Sequence, residues 1–317
     1  MKGTFVLVLM VAFCILAIPL LSLQKTVGAV EASTTNNNII YEKPISNNSF
    51  EKFKVLKDDK VLELSAKDYV FGVVAAEMPA LYEVEALKAQ AVAAYTFACY
   101  RKTENKNTKY DITTDAETAQ CFITRQEAAS RWGEKAEEYT KKIDDCIAAV
   151  QNEILTYENA SIFAAYHAIS AGNTNSCCDV WGKDVPYLKS VASEGDKLAD
   201  GYLSELKFTA DEIAEKLSSI TTASGEIQNY FTNINATDTG YVKEINFCGK
   251  KVSGSQISKL LGLRSGNFTV TYNEGVFNFT TKGYGHGVGM SQTGADYMAK
   301  QGCTYKDHAV HQREGNC

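Results

Sequence analysis

The sequence has no surplus of basic charge. Its 32 lysines and arginines are outnumbered by 38 aspartates and glutamates, for a net charge of −6. A nucleic-acid binder needs a concentrated basic surface, so that class is excluded. There is no long compositionally biased tract, and with 22% charged and 45% hydrophobic residues the chain is neither disordered nor fibrous. Nine cysteines are too few to build a disulfide scaffold in 317 residues, and being odd in number they leave at least one unpaired or intermolecular. No repeat of fixed period is present. Proline is scarce: beyond the first 25 residues only Pro44, Pro79 and Pro186 occur, and the last two fall within the most distinctive stretches of the chain.

Charge is absent altogether from Gly3 to Gln24, which contains FVLVLMVAFCILAIPLLSL. A run of ~20 apolar residues spans a bilayer core, whereas a cleavable signal has a shorter apolar region. Residues 1–25 are therefore expected to be a membrane anchor, with Pro19 tolerable near its outer end. The alternative is a secretory signal cut near Ala32. Residues 26–50, with STTNNNII and KPISNNS, are read as a flexible spacer. The functional part, 51–302, is expected outside the cytoplasm, with 205–265 a candidate subdomain and 303–317 an atypical tail.

Local signals predict an α+β fold with mostly antiparallel strands around a substrate cleft. VLELSAKDYVFGVVAAEM reads as a strand and then a helix capped by Ser65, with Tyr69, Val73 and Ala76 on one face. EALKAQAVAAYTFACYRK reads as an alanine-rich helix with Leu87, Ala91, Ala94 and Ala98 along one side. One or two helices follow in 126–152. A hairpin is expected around Glu158-Asn159, a helix capped by Thr209, and another ended by Gly262. Two strands in NFTVTYNEGVFNFTTKG and a last helix after a glycine-rich loop complete the pattern.

Three stretches carry chemical potential. In VVAAEMPA, Glu77 ends an apolar helix just before Met78 and Pro79. A partly desolvated carboxyl there would keep its proton near neutral pH, as a general acid requires; the alternative is a glutamate pointing into solvent. In KGYGHGVGMSQTGADYMA, alternating glycines surround His286 and let the backbone approach a ligand, while Ser291-Gln292 can cap a helix. The Gly-Lys-Ser/Thr ending of a phosphate loop is missing. In YHAISAGNTNSCCDVWGKDVPYLKSV, aromatic and polar groups suit a sugar ring, or an ordinary surface. Here His167 with Cys177, Cys178 and Cys121 forms a candidate zinc set, although CxxC and HxxxH spacings are absent.

Together and in this order, AAEMPA…EALKAQAVAA and G-x-GHGVGMSQ-x-GA resemble the stage II sporulation protein D (SpoIID) family of peptidoglycan lytic transglycosylases, which shares its domain with amidase-enhancer proteins. The likeness runs from about Ser65 to Gly302. It implies a non-hydrolytic lyase that cleaves the MurNAc-GlcNAc bond to a 1,6-anhydro product during engulfment in sporulation. Glu77 would be the catalytic acid, and no metal or other cofactor would be required. Gln120, Tyr187, Lys189, His286, Ser291 and Gln292 fall on family positions expected to bind substrate. The alternative is a non-catalytic wall-binding enhancer of a partner amidase. Implied partners are glycan strands, a cell-wall amidase and membrane proteins of the engulfment machinery. Three departures stand out: Tyr95 replaces an arginine expected near the acid, the double cysteine Cys177-Cys178 is unusual and points to a lineage-specific zinc site or disulfide, and after TYKD the chain reads HAVHQREGNC in place of an apolar ending.

Overall fold

A computed structural model describes residues 40–42, 50–106 and 108–311. The expected anchor, most of the spacer and the end of the tail lie outside the described residues. Among those described, no helix is long and apolar enough to cross a membrane. The described residues divide into two compact units, one within 1–80 and 91–163, the other within 81–90 and 164–317. The boundary at Phe163/Ala164 carries no proline, glycine or polar linker. The fold is mixed α and β, and its strands form several small, mainly antiparallel sheets.

In the first unit the strands Lys52–Lys57 and Lys60–Ser65 form a hairpin, and Ile112–Thr113 pairs parallel to Lys52–Lys57. Ser65 caps the helix Ala66–Glu77, its hydroxyl accepting the Asp68 N–H. This satisfies one of the four amide donors that a helix start leaves open. The helix ends at Glu77, where Met78 turns extended ahead of Pro79. A second small sheet joins Ile154–Tyr157 to Ala160–Ser161 and, on its other edge, to Ile40–Glu42. Part of the segment read as spacer is thus a strand. The helix Val84–Glu104 belongs to this unit from Ala91 onward and shows no solvent face there: every residue from Ala91 to Tyr100 is buried, beyond the one-sided stripe expected. Its alanines make that burial possible without crowding. Thr96 returns its hydroxyl proton to Val92 O at 2.7 Å and accepts the Leu155 N–H at 3.0 Å, so no polar group is stranded there.

The second unit contains two three-stranded antiparallel sheets. One orders Phe268–Asn273, Val276–Lys282 and Leu203–Thr209; the other orders Lys250–Ser253, Val242–Phe247 and Phe231–Ala236. Phe208, Ile245, Phe247, Ile257, Phe277 and Phe279 share one apolar cluster that also holds Ile213 from the Thr209-capped helix Ala210–Lys216 and Leu217 at that helix's C-terminal cap. This core extends the expected 205–265 subdomain through Phe279. Among the described residues four hairpins use the same device. Asp58-Asp59, Glu158-Asn159, Cys248-Gly249 and Glu274-Gly275 all place both central residues at positive φ, the two-residue turn whose twist matches paired strands. The helix Tyr305–His311 follows, with Asp307 accepting the Thr304 N–H at 2.7 Å and His308 buried. The segment read as an atypical tail thus contains a helix, despite its polar sequence.

Candidate functional site

In the first unit the site is built on the end of the helix Ala66–Glu77. Glu77 is half-buried, and its Oε1 accepts the backbone N–H of Cys121 at 2.7 Å. The Cys121 thiol hydrogen-bonds the same carboxylate. Burial raises the thiol to about 11, with the charge of Glu77 adding to the shift, so the sulfur keeps its proton and remains a donor. What brings Cys121 there is close packing five residues earlier on the helix. Gly72 lies so near the incoming segment that a Cβ on it would sit 2.2 Å from Phe122 Cε2 and 2.4 Å from Ile123 O. The Ile123 N–H donates to Gly72 O at 3.2 Å, and Phe122 stacks on Tyr69 with ring centroids 5.9 Å apart.

Gln120 belongs to this group. It is 2% exposed, and its Oε1 accepts the Tyr69 hydroxyl at 2.9 Å. Tyr69 is fully buried, and desolvation pushes its pKa well up, with the Glu77 charge raising it further and Arg101 opposing. The phenol is thus a permanent donor. From spacing, Tyr69 reads only as a packing residue; its hydroxyl role has no local sequence signal. Tyr95 lies elsewhere in the unit, buried, and exchanges hydrogen bonds with Phe50: it accepts the Phe50 N–H at 3.0 Å and donates to Phe50 O at 3.2 Å. Its ring packs 6.0 Å from that of Phe53. The residue in the expected arginine's place is therefore a core tyrosine fastening the strand start.

In the second unit Val288 makes one bond within the glycine-rich loop and laces the loop to the segment of His167 with another. The Val288 N–H donates to His286 Nδ1 at 3.0 Å, and Val288 O faces His167 Nδ1 at 3.2 Å. The first bond leaves His286 with its proton on Nε2, directed to the Tyr166 backbone; the second places the proton of His167 on Nδ1. Burial lowers His167 to about 4, and burial with the neighbouring His167 lowers His286 to about 3. Both are neutral at pH 7 and neither supplies a cation. The half-buried His286 ring lies 5.0 Å from that of Trp181, an aromatic pair of the kind a sugar face stacks on.

The glycines make this lacing possible. At Gly289, with φ +79°, a Cβ would lie 2.1 Å from Ala165 O, so the short parallel pair of Met290–Ser291 with Tyr166–His167 could not form beside any other residue. Asn175 fixes the loop from the other side, its Nδ2 donating to His286 O at 3.0 Å and its N–H to Gly287 O.

Ser291 and Gln292 are buried, and their side chains act inside the unit. The Ser291 hydroxyl caps the helix Gln292–Lys300 and donates to Asp196 Oδ1 at 2.8 Å, while Gln292 Nε2 donates to Gln90 Oε1 at 3.3 Å. Asp196, fully buried, also accepts the Ser170 N–H at 2.8 Å. Nothing in the surrounding sequence marks this aspartate. Tyr187 is half-buried, and the exposed Lys189 pairs with Asp184.

The candidate zinc set is divided, Cys121 in the first unit and His167, Cys177 and Cys178 in the second. Among the described residues no group of three or more His, Cys, Asp or Glu side chains is placed to hold a metal ion, and Cys177 and Cys178 are free thiols. His167 Nε2 is buried without a hydrogen-bond partner among the described residues.

The family profile described as stage II sporulation protein, SpoIID, matches residues 57–157, which include Glu77, Gln120 and Cys121. Stage II sporulation protein D of Bacillus amyloliquefaciens is 39% identical over 259 residues, covering 80% of this chain and 74% of that protein. Its counterpart in Bacillus subtilis (strain 168) is 37% identical over 262 residues, 81% and 75% of the two chains. The amidase enhancer of Bacillus subtilis (strain 168) is 26% identical over 285 residues, covering 74% of this chain and 38% of that protein.

Proposed function

The chain belongs to the stage II sporulation protein D family, and from that premise we propose that it is a peptidoglycan lytic transglycosylase acting during sporulation. The observation that carries this reading is the setting of Glu77: a half-buried carboxylate at a helix end, its Oε1 held by the Cys121 N–H. One carboxyl, fixed in direction, is what an intramolecular glycan cleavage asks of a protein. Protonated Glu77 gives its proton to the oxygen leaving C1 of N-acetylmuramic acid. The resulting carboxylate then takes the proton of the C6 hydroxyl as that oxygen closes on C1, leaving a 1,6-anhydro end. The proton is restored and no water is consumed, so the second carboxylate that a hydrolase needs has no task here.

In this reading Tyr187, Lys189 and the His286–Trp181 pair contact the glycan, with His286 acting as a neutral hydrogen-bonding ring. Gln120, Ser291 and Gln292 serve from within, by holding the segments that carry Glu77 and the glycine loop. The apolar first 25 residues would anchor the chain with its folded part on the wall side. A cell-wall amidase and membrane proteins of engulfment would be its partners.

A second reading, a non-catalytic enhancer of an amidase, is favoured by the similarity to the amidase enhancer. Product analysis separates the two. Incubated with isolated wall sacculi, the protein is expected to release anhydro-muropeptides detectable by mass, and Glu77→Gln is expected to abolish them. Anhydro products at full rate from Glu77→Gln would remove the mechanism; no such products from the wild type, with stimulation of an added amidase, would establish the enhancer.

A further inference from the structure

Arg264 is the one arginine among the described residues of the second unit, and it is set unlike a solvated surface charge. Its guanidinium lies over the ring of Tyr284 with Cζ 4.5 Å from the centroid. Behind it is Gly201, where a Cβ would come within 2.6 Å of Nη1. Its own carbonyl accepts the Gly285 N–H at 2.9 Å, so the arginine is fastened directly to the glycine-rich loop. Tyr284 is equally fixed: its N–H donates to Ile169 O at 2.7 Å and its carbonyl accepts the Ile169 N–H at 3.1 Å, yet the residue is 50% exposed.

A half-buried guanidinium in a chain of net charge −6 ordinarily finds a carboxylate. Among the described residues Arg264 makes no ion pair and no side-chain hydrogen bond. Compare Arg125, whose guanidinium bonds both oxygens of Asp144 and one of Asp68. The contact with the Tyr284 ring and the nearness of Gly201 confine the Arg264 group, while no protein acceptor among the described residues takes up its N–H donors. That is the arrangement that binds a planar anion through two parallel N–H bonds, and it loses little freedom on binding. The exposed tyrosine beside it offers an apolar ring edge to whatever carries the anion.

We propose that Arg264 and Tyr284 form a binding subsite for a carboxylate borne on a sugar, which makes the charged substituents of the wall glycan, and not only its rings, part of what the loop recognises. This rests on the reading that the chain engages glycan strands, but not on their cleavage. Two carboxylates on such a strand have the required chemistry: the lactyl group of muramic acid itself and the free carboxylates of the attached peptide.

The test is binding, by titration calorimetry, of three disaccharides to the full-length chain in detergent: GlcNAc-MurNAc with its lactyl carboxylate free, the same disaccharide carrying a tetrapeptide, and the same with the lactyl group converted to its methylamide. At least one carboxylated ligand is expected to bind about tenfold or more tightly than the methylamide, the worth of a charge-assisted bond. Preference for the free lactyl form assigns the subsite to the sugar, preference for the peptide form to the peptide. Arg264→Gln is expected to abolish the difference and Arg264→Lys to remove most of it, because an ammonium lacks the planar fork. Equal binding of all three ligands to the wild type overturns the proposal, as does unchanged selectivity in a folded Arg264→Gln protein. Should that variant prove unstable, the wild-type comparison decides alone. Loss of anhydro products with retained carboxylate selectivity would remove the lyase reading and leave the subsite standing.

Discussion

Cys121 donates its backbone N–H to Glu77 Oε1 at 2.7 Å across 44 residues of chain. A backbone donor is independent of the side chain at 121, so what maintains this bond is the path of the segment, and the path is set by packing. Gly72 lets Phe122 and Ile123 lie against the helix Ala66–Glu77, and Tyr69 on that helix stacks on Phe122 and hydrogen-bonds Gln120. One helix thus carries both the carboxylate and the two features that hold its donor in place.

Gly72→Ala tests this packing. In an isolated helix alanine is favoured over glycine by about 1 kcal/mol, so propensity alone predicts a stabilised protein. Here the added methyl would meet Phe122 at 2.2 Å and a backbone oxygen at 2.4 Å. Overpacking of that kind costs about 1–3 kcal/mol, and it outweighs the propensity gain because a backbone atom cannot rotate aside. The expected outcome is a lower unfolding midpoint in urea and a fall in anhydro-muropeptide release greater than the fraction unfolded accounts for.

Tyr69→Phe removes one oxygen and little volume. The buried amide oxygen of Gln120 then loses the 2.9 Å bond it accepts, a loss of about 1 kcal/mol or somewhat more for a buried acceptor. With the stack on Phe122 retained, urea denaturation is expected to show that modest loss with an unchanged m value. The segment 120–121 is expected to loosen, lowering kcat for glycan cleavage more than it raises KM. A variant with wild-type kcat would show that Gln120 is held without the phenol.

Much of the local structure is legible in the sequence because it rests on neighbours in the chain. Ser65, Thr209 and Gly262 mark helix ends through bonds or dihedral angles within a few residues. The two motifs around Glu77 and His286 are likewise contiguous. What the sequence conceals depends on residues far apart. The hydroxyl of Tyr69 acts through Gln120, 51 residues away, and the carboxylate of Asp196 through Ser170 and Ser291 as well as the nearby Ser193; nothing in YVFG or EGDK announces either role. The sheet of Phe231–Ala236, Val242–Phe247 and Lys250–Ser253 escapes notice because a register shift interrupts its first pairing and its tight turn is Cys-Gly, outside the usual Asn-Gly and Asp-Gly signals. Ile40–Glu42 is too short and too polar in its surroundings to be read as a strand.

Tyr95 gives a third prediction. Tyr95→Phe removes both hydrogen bonds to Phe50 and is expected to lower stability by about 1 kcal/mol, with glycan cleavage by the folded protein unaltered. Tyr95→Arg, which installs the residue the family resemblance leads one to expect, is predicted to be far worse. The position is 5% exposed among Phe53 and Cys99, and an unpaired buried charge costs several kcal/mol. Thermal unfolding of the two variants checks this; a Tyr95→Arg protein as stable as the wild type would mean that the helix can turn this position toward water.

Asp196 predicts a pH dependence. Burial raises its pKa above the usual carboxylate value, against the opposing hydrogen bonds from Ser170, Ser291 and Ser193. For an acid whose folded pKa lies above its unfolded one, the folded state binds more protons in the interval between them. Stability therefore falls as pH rises from about 3.8 through the folded value, and the penalty persists at neutral pH. Asp196→Asn cannot ionise, and it retains an oxygen to accept the Ser170 N–H. Ser291, released from donating to a carboxylate, can accept from the new amide and donate to Ala168 O, which lies 3.5 Å from its oxygen. In urea denaturation across that interval the difference, variant minus wild type, is expected to rise with pH and level off above the folded pKa. A difference that falls with pH would mean that the hydrogen bonds to the carboxylate outweigh its desolvation and hold its pKa below the ordinary value.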